Sequence, residues 1–254
     1  MTFRTTPSWP FAVLLITMLC AACSSDDDTV PEPELTFEEL YYLSISDAMV
    51  TEENEIIDSL WAISPANERL QWKTINGHEY VLMASFHKYP SSYPEGDSIT
   101  NTWGESWLFI PGQMKSRIKD DFIQSSDTIM RICQVLGLPP ADENSNTHIS
   151  ALWVRPENLY RPAGNPDIGT TTTGSALSDN VTETYSSWFN DYIIFAYYRT
   201  LAQETDRHYP WTRLGYTYDW APETEEVGLS EFVLSAGSGI WVEETSPASD
   251  LFTD

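Results

Sequence analysis

The sequence predicts an α+β fold: a single domain in which a largely antiparallel sheet packs on a few helices. Three observations predict it. Asn76-Gly77 stands between two runs of alternating polarity, "RLQWKTI" and "HEYVLMASF", the strongest short-range hairpin signal. The C-terminal part alternates again in "TRLGYTYDW", and "SEFVLSAGSGIWVEE" follows as two strands joined at 236–239. Helical spacing of apolar residues is confined to the middle of the chain, near 113–124, 126–137 and 184–202. The 254 residues include ten Trp, thirteen Tyr and ten Phe, bulky material for one large core.

Residues 1–22 are expected to be a signal peptide. One basic residue, Arg4, precedes the apolar run "FAVLLITMLC", which is too short for a span of about 20 residues. Ala21-Ala22-Cys23 resembles the lipobox of bacterial lipoproteins, in which the chain is cut before the cysteine and that cysteine takes the lipid. Cys20 stands where a lipobox usually has Leu. The "SSDDD" that follows, with Asp26, Asp27 and Asp28, resembles the acidic signal that sends Bacteroidetes-type lipoproteins to the outer face of the outer membrane. Cys23 is therefore the expected lipidation site, residues 23–36 an acidic tether with Pro31 and Pro33, and 37–254 the globular domain.

Charge excludes one class of partner. The chain without its leader carries 12 basic and 38 acidic residues, net −26, so nucleic acid is not expected, because phosphate binding needs concentrated Lys and Arg. Cys133 is the only thiol after Cys23, which leaves no intrachain disulfide.

Each element has a local justification. Pairing across Asn76-Gly77 sets Trp72 opposite Val81 and Leu70 opposite Met83 on a core face, with Lys73 opposite Tyr80 and Gln71 opposite Leu82 on the other. A short strand in "WLFIPG" ends at Pro111-Gly112. The helix after it places Met114, Ile118 and Phe122 on one side, and carries Lys115, Arg117 and Lys119, the one basic cluster of the chain. That cluster is read as a solvated face, with an anion site for lipopolysaccharide or an acidic glycan as the sharper alternative. "SSDTIMRICQVLGLPP" is a helix capped by Ser126 and ended by Gly137 and Pro139-Pro140. Ile129, Ile132, Cys133 and Leu136 form its buried stripe, so Cys133 is a packing residue. Asp142, Asn144 and Asn146 begin like a calcium loop, but the glycine and closing Glu of that loop are Thr147 and Trp153; a solvated loop is the reading. "HISALWV" is a strand turned at Pro156, "NPDIGTTTTGSALSDN" a surface loop, and Tyr185, Trp188, Phe189, Tyr192 and Ala196 an aromatic helix stripe belonging to the core.

The segments "LGLPP", "LWVRPENLYRP", "YPWTRLGYTYDW" and "VGLSEFVL" together resemble a family of uncharacterised exported bacterial proteins. Those proteins often place a cysteine where this chain has Ala163, and the resemblance implies an exported folded unit without implying a reaction. The tripeptides at Asp28, Asp58, Asp97 and Asp127 (Asp, then Ser or Thr, then an apolar residue) resemble the Bacteroidetes O-glycosylation motif.

No nucleophile elbow, phosphate loop or paired zinc-binding histidines occur. The weak catalytic candidates are His208, Asp219 and Glu231. Arg213 is a binding candidate along with Lys115, Arg117 and Lys119. Arg213 and Asp219 would lie about 20 Å apart along an extended strand, and Glu231 is the natural ion-pair partner for Arg213. No cofactor and no metal is expected. Two classes remain: a surface lipoprotein, held to the membrane by its lipid, that binds a glycan or protein; or a lipid-anchored hydrolase using His208, Asp219 and Glu231.

Overall fold

The Asn76-Gly77 turn has both φ angles positive, 51° and 79°, the geometry that matches the twist of a tight hairpin. It joins β1 (Trp72–Ile75) to β2 (His78–His87) in the expected register, Trp72 opposite Val81 and Lys73 opposite Tyr80. The structure, a computed structural model, describes residues 34–118, 127–198 and 208–252. Cys23, Asp26 to Asp28, Lys119, Phe122 and Ser126 lie outside them.

The remaining strands are β3 (Ser98–Thr100), β4 (Ser106–Leu108), β5 (His148–Val154), β6 (Leu159–Tyr160), β7 (Tyr216–Tyr218), β8 (Val227–Ser230), β9 (Phe232–Leu234) and β10 (Gly239–Pro247). The helices are α1 (Phe37–Ala48), α2 (Pro111–Ile118), α3 (Thr128–Val135) and α4 (Glu183–Tyr197). Every paired strand is antiparallel, and the α+β class expected from the sequence is the class observed. The sheet itself is divided. A five-stranded sheet runs β1-β2-β5-β10-β3, a three-stranded one β4-β9-β6, and β7-β8 stand as a pair. So β9 and β10 are consecutive but belong to different sheets. The backbone hydrogen bonds of Ala84 with Phe109 (2.8 and 3.0 Å) link the first two sheets.

The two faces of β2 feed two cores, as strand alternation requires. Val81 and Met83 join Leu152, Val154, Ile240 and Val242 of the large sheet, and Leu108, Phe232 and Leu234 of the second sheet complete that cluster. Ala84 and Phe86 face the other way, against Met114 and Ile118 of α2 and Ile132, Cys133 and Val135 of α3. Cys133 is 2 % exposed, and burial pushes its thiol up to about 12.

Helix α1 was not expected. Thr36 caps it by accepting from the Glu39 N–H, and Glu39 accepts from the Thr36 N–H (2.8 Å), a reciprocal capping box. Tyr41, Ser44, Ile45 and Ala48 form its buried stripe. Helix α3 is capped by Asp127, which accepts from the Met130 N–H at 3.0 Å. Among the described residues no helix is long and apolar enough to cross a membrane.

Candidate functional site

The structure disperses the residues that the sequence groups together. Asp219 is buried at the end of β7, and both of its oxygens are taken by guanidinium groups. Arg131 of α3 binds it in a fork, Nη1 to Oδ1 at 2.9 Å and Nη2 to Oδ2 at 2.8 Å. Arg117 of α2 adds Nη2 to Oδ2 at 2.9 Å. The carboxylate therefore ties two helices to β7 and has no oxygen left over for a substrate. Arg117 also donates to the Glu225 carbonyl at 2.9 Å, which draws it out of the basic cluster; Lys115 is exposed on the same helix.

Arg213 does not pair with Glu231. Its φ is 62°, so the chain turns there, and the alternation assumed for an extended 212–220 strand fails; only Tyr216–Tyr218 is strand. Arg213 instead donates to the carbonyls of Ala48 (3.3 Å) and Met49 (3.0 Å) and to Thr51 Oγ1 (3.0 Å). A cation at the C-terminal end of α1 complements the helix dipole. The expected half-buried polar face is also absent, because Tyr216, Thr217 and Tyr218 are all buried. His208 presents its carbonyl to the Tyr41 hydroxyl at 2.5 Å. Its Nδ1 is buried without a hydrogen-bond partner among the described residues.

Glu231 is the one weak catalytic candidate that lines a cavity. It lies between β8 and β9, where its N–H donates to the Gly215 carbonyl at 3.0 Å. The cavity holds about 670 Å³, the size of a small-molecule or oligomer-segment site. Its lining includes Trp107, Tyr192, Phe195, Tyr209 and Trp211, and also His87, Tyr93, Trp103 and Asn146. Trp107 and Tyr192 lie 5.0 Å apart, and Trp211 meets Tyr192 edge-on at 4.8 Å and 87°. The aromatic stripe of α4 is thus split: Phe189 is core at 3 % exposure, while Tyr192 lines the cavity. Phe195, outside that stripe, is 39 % exposed and lines the cavity too.

Two carboxyl groups line this cavity, in opposite surroundings. Glu105 is exposed and accepts from Tyr160 Oη (2.8 Å) and Trp188 Nε1 (2.9 Å). Glu231 receives no hydrogen bond on its carboxyl from the described residues, and burial pushes it up to about 8 against a weaker pull from Arg161. Arg161 is fully buried, with Nη1 and Nη2 donating to the carbonyls of Gly215, Trp61, Ile168 and Thr170 at 3.1–3.4 Å, its Nε without a partner among the described residues, and its guanidinium 4.7 Å from the Phe232 ring centroid.

His87 is a buried residue of the lining and belongs to a hydrogen-bonded chain with a fixed direction. The Tyr89 N–H donates to His87 Nδ1 at 3.2 Å, which assigns the proton to Nε2. Nε2 donates to Ser150 Oγ (2.7 Å), Ser150 to Thr245 Oγ1 (2.7 Å), and Thr245 to the Tyr93 carbonyl (2.8 Å). A nucleophile and base need the opposite polarity, with the hydroxyl donating to the ring. Burial and the neighbouring His148 hold His87 down to about 4, so it is neutral at pH 7.

Asn146 donates to the Phe86 carbonyl at 2.9 Å, and Asp142 Oδ1 accepts from the Asn144 N–H at 2.8 Å; the calcium-like loop is folded on itself and onto β2. Elsewhere, Asp47, Glu55 and Glu226 bring one oxygen each within 4.8 Å of one another, the group among the described residues with spacing suited to a cation. Asp47 Oδ2 there already accepts from Tyr218 Oη at 3.0 Å. Comparison with protein-family models, curated proteins and solved structures finds no match.

Proposed function

We propose that this protein is a lipid-anchored envelope protein, held outside the cell by Cys23, that binds a glycan in the aromatic cavity. The observation that carries the reading is the cavity itself: about 670 Å³, with half-exposed aromatic rings at its mouth and polar tips between them. Sugar rings stack their C–H faces on aromatic side chains while their hydroxyls bond to carboxylates and amides, and Trp103 (48 % exposed), Tyr89 (60 %) and Phe195 (39 %) present such faces at the rim. Asn146, Ser106 and Glu105 supply the polar groups. A protein partner is less well matched to a concave site of this size. The hydrolase alternative loses its geometry, because Asp219 is closed off by two arginines and the cavity lining includes Glu231 but not His208.

The test is a titration of tryptophan fluorescence with a panel of oligosaccharides. Trp103→Ala is expected to weaken binding about tenfold while leaving the melting temperature within a few degrees, since the ring is half exposed. If every oligosaccharide fails, or the variant binds as well as wild type, the glycan reading is wrong. The anchor is tested separately: protease applied to intact cells should remove the protein, and Cys23→Ser should release it from the membrane fraction.

A further inference from the structure

We propose that the ligand carries an ammonium group, which Glu231 receives inside the corner formed by Trp107, Tyr192 and Trp211. This rests on the glycan reading and narrows it to an amine-bearing sugar.

Charge makes the first argument. The cavity is lined by two carboxyl groups and, among the described residues, by no Lys or Arg. His87, the one histidine in the lining, has both ring nitrogens committed. An anionic polymer or a phosphate would meet acid on both sides. A cation would meet its counter-charge at Glu105, and at Glu231 once the arriving ammonium displaces to solvent the proton that burial keeps there up to about pH 8.

The bonding state of Glu231 makes the second. Glu105 receives two donors from protein and Asp219 four, three from guanidinium groups and one from the Ala221 N–H. The Glu231 carboxyl receives none from the described residues, although the residue is part-buried and lines the cavity. An acceptor withdrawn from bulk water normally has a donor from the protein, and Glu231 lacks one. Arg161, the described cation whose charge Glu231 feels, is spent on backbone: its Nη1 donates to the carbonyl that also takes the Glu231 N–H, Gly215 O (3.1 and 3.0 Å). The open acceptor faces the cavity, so the missing donors come from what enters it.

The walls make the third. Tyr192 packs against Trp107 at 5.0 Å and meets Trp211 at 87°, giving an aromatic corner beside Glu231. An ammonium gains from an aromatic face as well as from a carboxylate, whereas a neutral hydroxyl gains chiefly from the carboxylate. Both carboxyl groups act electrostatically on Tyr192, which places the corner within reach of each.

Three oligosaccharides of the same linkage separate charge from shape: oligomers of glucosamine, of N-acetylglucosamine and of glucose, which differ at one ring carbon as amine, acetamide and hydroxyl. Binding is followed by calorimetry at a pH where the amine is protonated, with tetramethylammonium chloride as a cation without a sugar. The glucosamine oligomer is expected to bind roughly tenfold tighter than the other two. Tetramethylammonium should compete with it where equal sodium chloride does not. Glu231→Gln should erase the preference while keeping weak binding of the glucose oligomer, which also reports that the variant is folded. Equal binding of the three oligomers, or an unchanged preference in Glu231→Gln, overturns the ammonium proposal and leaves the glycan reading standing. Tetramethylammonium binding that depends on Glu231, with no sugar bound, supports the ammonium proposal and removes the glycan reading.

Discussion

Replacing Glu231 by Gln should make the protein more stable at neutral and alkaline pH. The change keeps the shape of the side chain and removes its ionisation. In the folded chain burial holds this acid at about 8, against an ordinary 4.5. Below pH 4.5 both states are protonated and the acid imposes no penalty. Between 4.5 and 8 the unfolded chain gives up the proton and the folded chain keeps it, so stability falls as pH rises through that window, then levels off. At about 1.4 kcal/mol per pH unit the full interval has a ceiling of about 5 kcal/mol. The cavity mouth is open to solvent, which relieves part of this, and about 2–4 kcal/mol is expected. The charged and titratable groups that feel Glu231 are Arg161, Tyr192 and Tyr197. The tyrosines are raised by burial, and the arginine keeps its charge throughout the window. Urea unfolding of both proteins at pH 4.5, 6, 7 and 8, followed by tryptophan fluorescence, isolates the term, since every other group cancels in the difference. Parallel curves for the two proteins across this range would refute the reasoning.

Asp219→Asn should destabilise the fold by about 3–5 kcal/mol, because Arg131 is left buried without its counter-charge; a loss below about 1 kcal/mol in urea unfolding would show the pair to be incidental. Arg213→Ala and Glu231→Ala should be additive within about 0.5 kcal/mol in a double-mutant cycle, since Arg213 bonds α1 and Thr51; a larger coupling would restore the direct pair. Cys133 should resist a thiol reagent in the native protein and react on unfolding, and Cys133→Ala should cost about 1 kcal/mol or somewhat more. His87, held near 4 against 6.5 unfolded, contributes stability that is present above pH 6.5 and lost as pH falls towards 4, by up to about 3 kcal/mol; His87→Asn should flatten that acid limb in urea unfolding.

What was legible in the sequence was local. The Asn76-Gly77 hairpin was readable to the residue because turn chemistry and alternation fix its register together. The α3 stripe, with Cys133 inside it, followed from period alone. Helix α1 carries a local signal as well: Thr36 and Glu39 have the spacing of a capping box. The stretch 212–220 misled because aromatic residues alternate there whether or not the backbone is extended. A left-handed Arg213 leaves no mark on the pattern. The division into three sheets was hidden too, since nothing near 236–239 says that β9 and β10 should go to different partners. The Asp219 cluster joins residues 88 positions apart, and the cavity draws walls from β2, β4, α4 and the segment after 208, so neither has a sequence period. Glu231 did have a clue. It stands directly before Phe232, Val233 and Leu234, a run that is 0 % exposed, and an acid set against such a run is either paired or left in a low-dielectric setting.

The contrast between Asp219 and Glu231 separates support from binding. Both are acids held by β-structure in the same C-terminal stretch. Asp219 is surrounded by three guanidinium contacts, and its removal should be costly. Glu231 feels the charge of Arg161, but that guanidinium is held by four carbonyls. A fold selected for stability alone would let that arginine reach the carboxyl, or would replace the acid by an amide. Leaving the carboxyl open destabilises the folded chain by the amount that Glu231→Gln measures, and an ammonium ligand would recover part of it on binding. The two experiments therefore bear on each other. If the variant is more stable and also loses the preference for the amine-bearing oligomer, stability has been set against binding at this position, as expected of functional sites that break local rules. If it gains stability while the wild type shows no preference for a cation, the open acid has a structural origin and the ligand must be sought among neutral sugars.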